Sequence, residues 1–263
     1  MKKYLVIGNP IDHSLSPQLH NHWIKVNKIE AVYEKKKINQ NEIKDLIRDV
    51  KDKKISGINV TVPFKQEVIT YLDELTDQAQ KTQSVNTIYL GTNGVIGHNT
   101  DVDGFESSLK DEYDPKNKNI LILGAGGVVP SIIFALKNMK AESITISNRT
   151  REKAENLKKS FGNIKIVNWG QITNFDMIIN ATSVGLNAKD EINLDFSKTN
   201  NKFFYDVIYN PTETNFLKAG KKFGNKILNG KLMFIYQAYY AFKIWHKLLP
   251  KVDGQVIKLL DND

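Results

Sequence analysis

The stretch that most constrains this chain is Ile120-Leu121-Ile122-Leu123-Gly124-Ala125-Gly126-Gly127-Val128-Val129-Pro130-Ser131. Four consecutive aliphatic residues suit a strand buried on both faces of a parallel sheet. Glycines then stand where such a strand must turn sharply into a helix. Without a Cβ, Gly124 and Gly126 let the backbone approach a pyrophosphate, with the first helical amides, Val128 to Ser131, aimed at the anion. Ile132, Ile133, Ala135, Leu136 and Met139 supply an apolar stripe, and the segment from Ala141 to Ile146 opens the next strand. The whole is one βαβ unit of the expected length.

The second strand, Ser143-Ile144-Thr145-Ile146-Ser147, ends in Asn148-Arg149-Thr150-Arg151-Glu152-Lys153. An NAD site carries an acidic residue at this strand end, where it accepts from the ribose 2′-hydroxyl and repels a 2′-phosphate. Here Asn148, Arg149, Arg151 and Lys153 offer a set suited to a phosphomonoester. The expected cofactor is therefore NADP. A solvated helix start with Thr150 as its cap is the plainer alternative.

The 263 residues are enough for two domains, and 41% hydrophobic with 25% charged residues is the composition of a globular protein. Met1-Lys2-Lys3 is followed by an apolar run that breaks at Gly8-Asn9-Pro10, so no leader is expected, and no apolar run is long enough to span a bilayer. The absence of cysteine excludes disulfides, thiol catalysis and cysteine-ligated metals, and is compatible with a cytoplasmic location. No metal site is expected. A formal charge of +8 raises nucleic-acid binding as a class. The lysines are spread over many elements, however, and the densest run, Glu34 to Lys37, sits on a short strand. Anionic small-molecule ligands explain the balance as well, so no nucleic-acid partner is expected.

Along the first half, Tyr4 to Gly8 reads as a buried strand, and Pro17 opens a helix through Leu19, His22, Trp23 and Val26. Ser14 and Ser16 fit either loop and cap roles or the holding of a small polar ligand. Asn39 caps an amphipathic helix containing Ile43, Leu46, Ile47 and Val50. In the strand Gly57 to Val62, Asn59 and Thr61 share one face and the aliphatic residues the other. Lys65 then stands at the entrance to a helix, where the macrodipole lowers a lysine pKa and favours proton transfer. A surface lysine is the plainer alternative. Ser84 to Leu90 reads as a strand, Thr92-Asn93-Gly94 as a hairpin turn, and Val95 to Asp101 as the return. Asp101 is a helix cap, or else converges with Asn86, Asn99, Asn59, Thr61 and Lys65. Further parallel strands are expected at Ile164 to Val167, Asp176 to Asn180, Phe203 to Tyr209 and Lys226 to Leu228. The tract Ala181-Thr182-Ser183-Val184-Gly185 lies at a carboxyl strand end, where ligands bind in such sheets. From Gly230 a long apolar helix runs past Trp245, with Gln237 as its polar exception.

Taken together, Ser14-Leu15-Ser16-Pro17, Asn59-Val60-Thr61-Val62-Pro63-Phe64-Lys65, Ser84-Val85-Asn86-Thr87, Asn99-Thr100-Asp101, Gly124-Ala125-Gly126-Gly127, Asn148-Arg149-Thr150, Asn180 to Gly185 and Gln237-Ala238 resemble the shikimate dehydrogenase family. The resemblance covers nearly the whole chain in order. It implies a two-domain α/β fold: an N-terminal α/β substrate domain over 1–101, completed by helices in 232–263, and an NADP-binding Rossmann domain over 102–231. It implies reversible, NADPH-dependent reduction of 3-dehydroshikimate to shikimate, on the route to chorismate and the aromatic amino acids, by a monomer or homodimer.

By the same resemblance Lys65 and Asp101 match the catalytic pair. Ser14, Ser16, Asn59, Thr61, Asn86, Tyr209 and Gln237, with Lys65 and Asp101, match the ligands of the substrate's carboxylate and hydroxyls. Gly124, Ala125, Gly126, Gly127 and Val128, then Asn148, Arg149, Thr150, Arg151 and Lys153, match the cofactor loops. Asp77, Thr182, Val207 and Gly230 match further cofactor contacts. Three departures bear on cofactor affinity. Val128-Val129-Pro130 stands where small residues are usual, Lys153 stands where many members have arginine, and Leu232 replaces a usual glycine. The rivals are an NAD-using quinate/shikimate dehydrogenase, disfavoured by Arg149 and Arg151, and a catalytically silent relative, disfavoured because Lys65 and Asp101 are both present.

Overall fold

In a computed structural model, which describes residues 1–187 and 189–261, the chain divides into two compact units: Met1–Gly104 with Ile235–Asp263, and Phe105–Phe234.

In the first unit β1 (Lys2–Gly8), α1 (Ser16–Val26), β2 (Ala31–Lys37), α2 (Ile43–Lys51) and β3 (Gly57–Val60) alternate. They form a parallel set in which β1 lies between β2 and β3. The sheet continues through the antiparallel hairpin β5 (Thr87–Leu90) and β6 (Val95–His98), with the short β4 (Glu74–Leu75) at its far edge. α3 (Asp77–Thr82) starts at a Thr76 cap whose hydroxyl accepts from Ala79 N–H. α4 (Thr100–Leu109) follows β6.

Residue alternation along the strands separates two cores. On one side Leu5, Ile7, Ile58, Val60, Ile88 and Val95 meet Ile43, Leu46, Ile47 and Val50 of α2. The i, i+3, i+4, i+7 spacing of these four gives the helix one apolar stripe, each side chain contributing about 1.5–3 kcal/mol relative to exposure. On the other side Tyr4 packs against Trp245, with ring centroids 4.9 Å apart.

The second unit is an all-parallel sheet ordered β12-β11-β10-β7-β8-β9. Its strands are β7 (Asn119–Leu123), β8 (Ser143–Ser147), β9 (Ile164–Val167), β10 (Met177–Asn180), β11 (Phe203–Asp206) and β12 (Lys226–Leu228). Between them run α5 (Val129–Asn138), α6 (Arg151–Phe161) and α7 (Asn215–Lys222). The chain winds outward from β7 in one direction and from β10 in the other. These two strands are neighbours, so the switch point where a doubly wound sheet binds its ligand lies between their carboxyl ends.

α8 (Lys231–His246) and α9 (Gly254–Leu259) end the chain. Within the first unit Trp245 Nε1 donates to Ile88 C=O at 3.2 Å, and Gln18 Nε2 donates to Leu259 C=O at 2.8 Å. No helix of the described residues is long and apolar enough to cross a membrane.

Several elements end earlier than their residue types suggest. β3 stops at Val60, and Val62 is 60% exposed rather than part of an inward-facing alternation. β5 begins at Thr87, and β11 stops at Asp206. In α1 the buried positions are Ser16, Leu19, His20, Trp23 and Ile24, whereas Val26 faces out.

Candidate active site

In the first unit the polar residues at the carboxyl ends of the strands form one buried cluster. Lys65 Nζ donates to Asp101 Oδ2 at 2.5 Å, with the two side chains 16% and 9% exposed. The expected α-helix after Lys65 is absent. The segment runs through turns into a 3₁₀ helix, Glu67–Tyr71, so the field at Lys65 is set by a carboxylate and not by a macrodipole. Asp101 lies in the first turn of α4, and its N–H is capped by Asn99 Oδ1 at 3.0 Å. Of the two roles open to Asp101, convergence with the cluster is the one realised.

Asn86 Nδ2 donates to Asp101 Oδ1 at 2.9 Å, and Asn86 Oδ1 accepts from Thr100 N–H at 2.8 Å. Asn59 lies beside it, because β3 and β5 are registered Asn59 to Thr87. Asn59 Nδ2 donates to Asn86 C=O and to Thr87 Oγ1, and Asn59 Oδ1 accepts from Tyr33 OH at 2.7 Å. Burial pushes the Tyr33 phenol well above its ordinary pKa, against a smaller opposing contribution from the Ser16 hydroxyl, so Tyr33 keeps its donor proton. Ser16 opens α1 and is buried, and its N–H donates to Ser14 Oγ at 3.4 Å. Thr61 is half-buried just past β3, and Gln237 is half-buried on α8.

Tyr209 belongs to the second unit, unlike the other expected substrate ligands. There it stacks on Phe234 at 4.7 Å, and burial raises its phenol pKa. Asp77 is in the first unit, 70% exposed and paired with Lys81 at 2.9 Å.

In the second unit Gly124 has φ +110°, and a Cβ there would sit 2.8 Å from Ala181 C=O across the switch point. Only glycine tolerates both the dihedral and the approach. Gly126 and Gly127 are exposed, and a Cβ at Gly127 would meet nothing within 4 Å, which leaves the loop open to a ligand. The expectation for the helix amides is corrected in one respect. Val129 N–H donates to Gly126 C=O at 3.0 Å and Pro130 has no N–H. Val129 and Pro130 therefore offer no donor to an anion, and the amides of the glycine loop and Val128 lie ahead of the helix proper. Val129 itself is fully buried.

At the end of β8, Asn148 Nδ2 donates to Thr150 C=O at 2.7 Å. Thr150 is the N-cap of α6 but makes no side-chain cap bond. Arg149, Arg151 and Lys153 are exposed, with Arg151 paired to Glu155 at 3.2 Å.

Under the switch point Asp206 is fully buried. It accepts from Thr214 Oγ1 (2.6 Å), Ile208 N–H (3.0 Å) and Asn180 Nδ2 (3.1 Å). Burial raises its pKa and these bonds oppose the rise. Asn180 Oδ1 in turn holds both the N–H and the Oγ1 of Thr182 (3.1 and 2.7 Å). A Cβ at Gly230 would collide with Val207 C=O.

Two family models match, described as "Shikimate dehydrogenase substrate binding domain" over residues 6–88 and "Shikimate / quinate 5-dehydrogenase" over 107–209. A curated shikimate dehydrogenase (NADP(+)) of Pelagibacter ubique (strain HTCC1062) is 59% identical over 262 residues, covering 99% of each chain. The chain belongs to the shikimate dehydrogenase family. The crystal structure of shikimate dehydrogenase from Aquifex aeolicus superposes with a TM-score of 0.91 at 38% identity, over 100% of this chain and 98% of that one. Shikimate 5-dehydrogenase from Thermus thermophilus, solved in complex with NADP(H) and shikimate, has a TM-score of 0.88 at 30% identity, over 98% and 97%.

Tyr33, Thr87 and Thr100 were not among the site residues that the sequence singles out, although all three are buried in the cluster. The one signal for Thr87 is its place beside Asn86 in Ser84-Val85-Asn86-Thr87.

Proposed function

We propose that the protein catalyses the reversible reduction of 3-dehydroshikimate to shikimate with NADPH, a step toward chorismate and the aromatic amino acids. The observation that carries the reading is the buried Lys65–Asp101 pair, oriented by Asn86 and Asn99, in a chain of this family. We assign residues 1–101 with 232–263 to the substrate and 102–231 to the cofactor, and propose a cytoplasmic monomer or homodimer.

When bound, the reduced nicotinamide supplies the hydride. Reduction of the ketone carbon turns its oxygen into an alkoxide, which needs a proton donor within hydrogen-bond reach. Lys65 Nζ, as an ammonium, stabilises that charge and delivers a proton to the oxygen, giving the alcohol. In the oxidative direction the same atom takes the proton back. Asp101 holds Nζ in place. Ser14, Ser16, Asn59, Thr61, Asn86, Tyr209 and Gln237 hold the carboxylate and hydroxyls. Asn59 spends both amide protons inside the protein, so it serves substrate as an acceptor.

Gly124, Ala125, Gly126, Gly127 and Val128 take the pyrophosphate. Asn148, Arg149, Thr150, Arg151 and Lys153 take the adenosine 2′-phosphate. Thr182, Val207, Gly230 and Asp77 complete the cofactor contacts. Arg149→Ala is expected to raise the Michaelis constant for NADP about tenfold or more while leaving NAD nearly unchanged, since a charge-assisted bond to phosphate is worth about 1.5–3 kcal/mol. Equal effects on both cofactors would remove the 2′-phosphate assignment.

The deciding assay mixes purified protein with shikimate and follows nicotinamide absorbance with NADP and NAD in parallel. Turnover with NADP, much weaker with NAD and absent with quinate, is the expected result. Comparable turnover with NAD or quinate would replace this reading with the broader quinate/shikimate activity. No turnover from a folded protein that binds shikimate would favour a silent relative.

A further inference from the structure

We propose that Thr87 and Tyr33 are positioning residues for the proton-transferring pair, acting through a buried hydrogen-bond chain whose donors all point toward Asp101. The proposal rests on the reading that Lys65 and Asp101 carry the proton chemistry. The chain runs from Tyr33 OH to Asn59 Oδ1 (2.7 Å), from Asn59 Nδ2 to Thr87 Oγ1 (3.1 Å), from Thr87 Oγ1 to Asn86 Oδ1 (3.0 Å), and from Asn86 Nδ2 to Asp101 Oδ1 (2.9 Å). Tyr33, Asn59, Thr87, Asn86 and Asp101 are all at most 6% exposed.

The orientation of both amides in the chain is fixed by backbone groups that have only one role. Thr100 N–H can only donate, so the Asn86 atom facing it at 2.8 Å is the oxygen, and Asn86 Nδ2 must face Asp101. Asn86 C=O can only accept, so the Asn59 atom facing it at 2.9 Å is the nitrogen, and Asn59 Oδ1 must face the phenol. Thr87 then receives a proton from Asn59, and its own reaches Asn86 Oδ1 directly at 3.0 Å or through Thr100 Oγ1, 3.2 Å away, which itself donates to Asn86 Oδ1 at 3.1 Å. Aligned donors polarise one another, and in this buried setting the whole chain presents its positive end to one carboxylate oxygen. The other oxygen is left for Lys65 Nζ. Rotation of the Asp101 carboxylate would break its bond from Asn86 Nδ2, so the chain locks the direction in which Nζ is held.

Thr87→Val keeps the β-branched volume and removes the one hydroxyl that both accepts and donates in the chain, whereas Thr87→Ser keeps it. With saturating NADP and shikimate, Thr87→Val is expected to lose about tenfold or more in kcat per shikimate-binding site, sites being counted by calorimetric titration, because displaced catalytic groups cost rate steeply. The Michaelis constant for shikimate should change less than about threefold, and Thr87→Ser should recover most of the loss. Tyr33→Phe cuts the far end of the chain and should act in the same direction with a smaller loss. Counting sites separates this outcome from a lower folded fraction. A kcat per site within about twofold of the parent in Thr87→Val, or a serine variant no better than the valine one, would overturn the proposal.

A second readout does not depend on turnover. The ¹⁵N resonance of Lys65 Nζ should move in Thr87→Val and return in Thr87→Ser. An unmoved resonance overturns the chain even if the parent proves inactive toward shikimate, and inactivity with a moving resonance overturns the functional reading alone.

Discussion

Lys65→Ala is expected to lose turnover on the order of 10²–10⁴-fold, the range for removal of a general acid–base group, while shikimate binding survives. The asymmetry follows from the geometry. Lys65 is the cation on Asp101 Oδ2, whereas Asp101 keeps Asn86 Nδ2 on its other oxygen and Asn99 on its own N–H. The remaining ligands of the substrate's carboxylate and hydroxyls stay in place. Removing one partner of a buried pair also strands the other charge, a destabilisation of about 3–5 kcal/mol where burial is complete and less at this partly open site. Lys65→Gln guards against that loss by leaving a donor for Asp101 with no transferable proton. Steady-state kcat together with a calorimetric dissociation constant for shikimate checks both variants. Unchanged kcat in folded Lys65→Ala would end the proton-donor assignment.

The second large effect is on stability against acid. His20 is 1% exposed, stacked on Tyr33 with ring centroids 4.2 Å apart and ringed by Trp23, Phe242 and Trp245. Neither of its nitrogens has a hydrogen-bond partner among the described residues. Burial first, and then the neighbouring His246, lowers its pKa from 6.5 to about 3. Between these values the unfolded chain binds a proton that the folded chain refuses. The contribution of His20 is therefore intact above pH 6.5 and is lost as pH falls toward 3, at about 1.4 kcal/mol per pH unit. His246, lowered to about 4 mainly by burial, adds to the slope in the same direction.

His20→Phe keeps the ring contacts and removes both unpaired nitrogens. Urea unfolding followed by tryptophan fluorescence should show that the advantage of this variant grows from about pH 7 to about pH 4.5. Parallel pH dependences for variant and parent would contradict a buried neutral imidazole.

The same helix marks a limit of sequence reading. An apolar stripe through Leu19, His22, Trp23 and Val26 fits a helical period as well as the one realised through Leu19, His20, Trp23 and Ile24. Periodicity alone does not choose between stripes about one residue apart around the helix. The aromatic face made by Tyr33, Phe242 and Trp245 does.

Residue order alone dictates the doubly wound half and the polar chemistry where strands end. Parallel strands buried on both faces must be short aliphatic runs closed by turn residues. For that reason Ser143–Ser147 reads directly as the strand that forms, while the partly exposed edge strands Ile164–Val167 and Lys226–Leu228 are marked by their aliphatic residues between polar turns. Gly124 was legible because no other residue suits a strand–helix turn with positive φ and a carbonyl at 2.8 Å. Lys65, Asn86 and Asp101 were legible as polar residues where strands end, and through the motifs that hold them.

How these residues are held follows from the packing of the strands. The chain from Tyr33 through Thr87 depends on which strands pair and in what register. A hydrogen bond between residues far apart in the chain leaves no local pattern. A buried threonine reads the same in sequence whether its hydroxyl is idle or links two amides. The register of β3 on β5, with Asn59 opposite Thr87, makes the difference here.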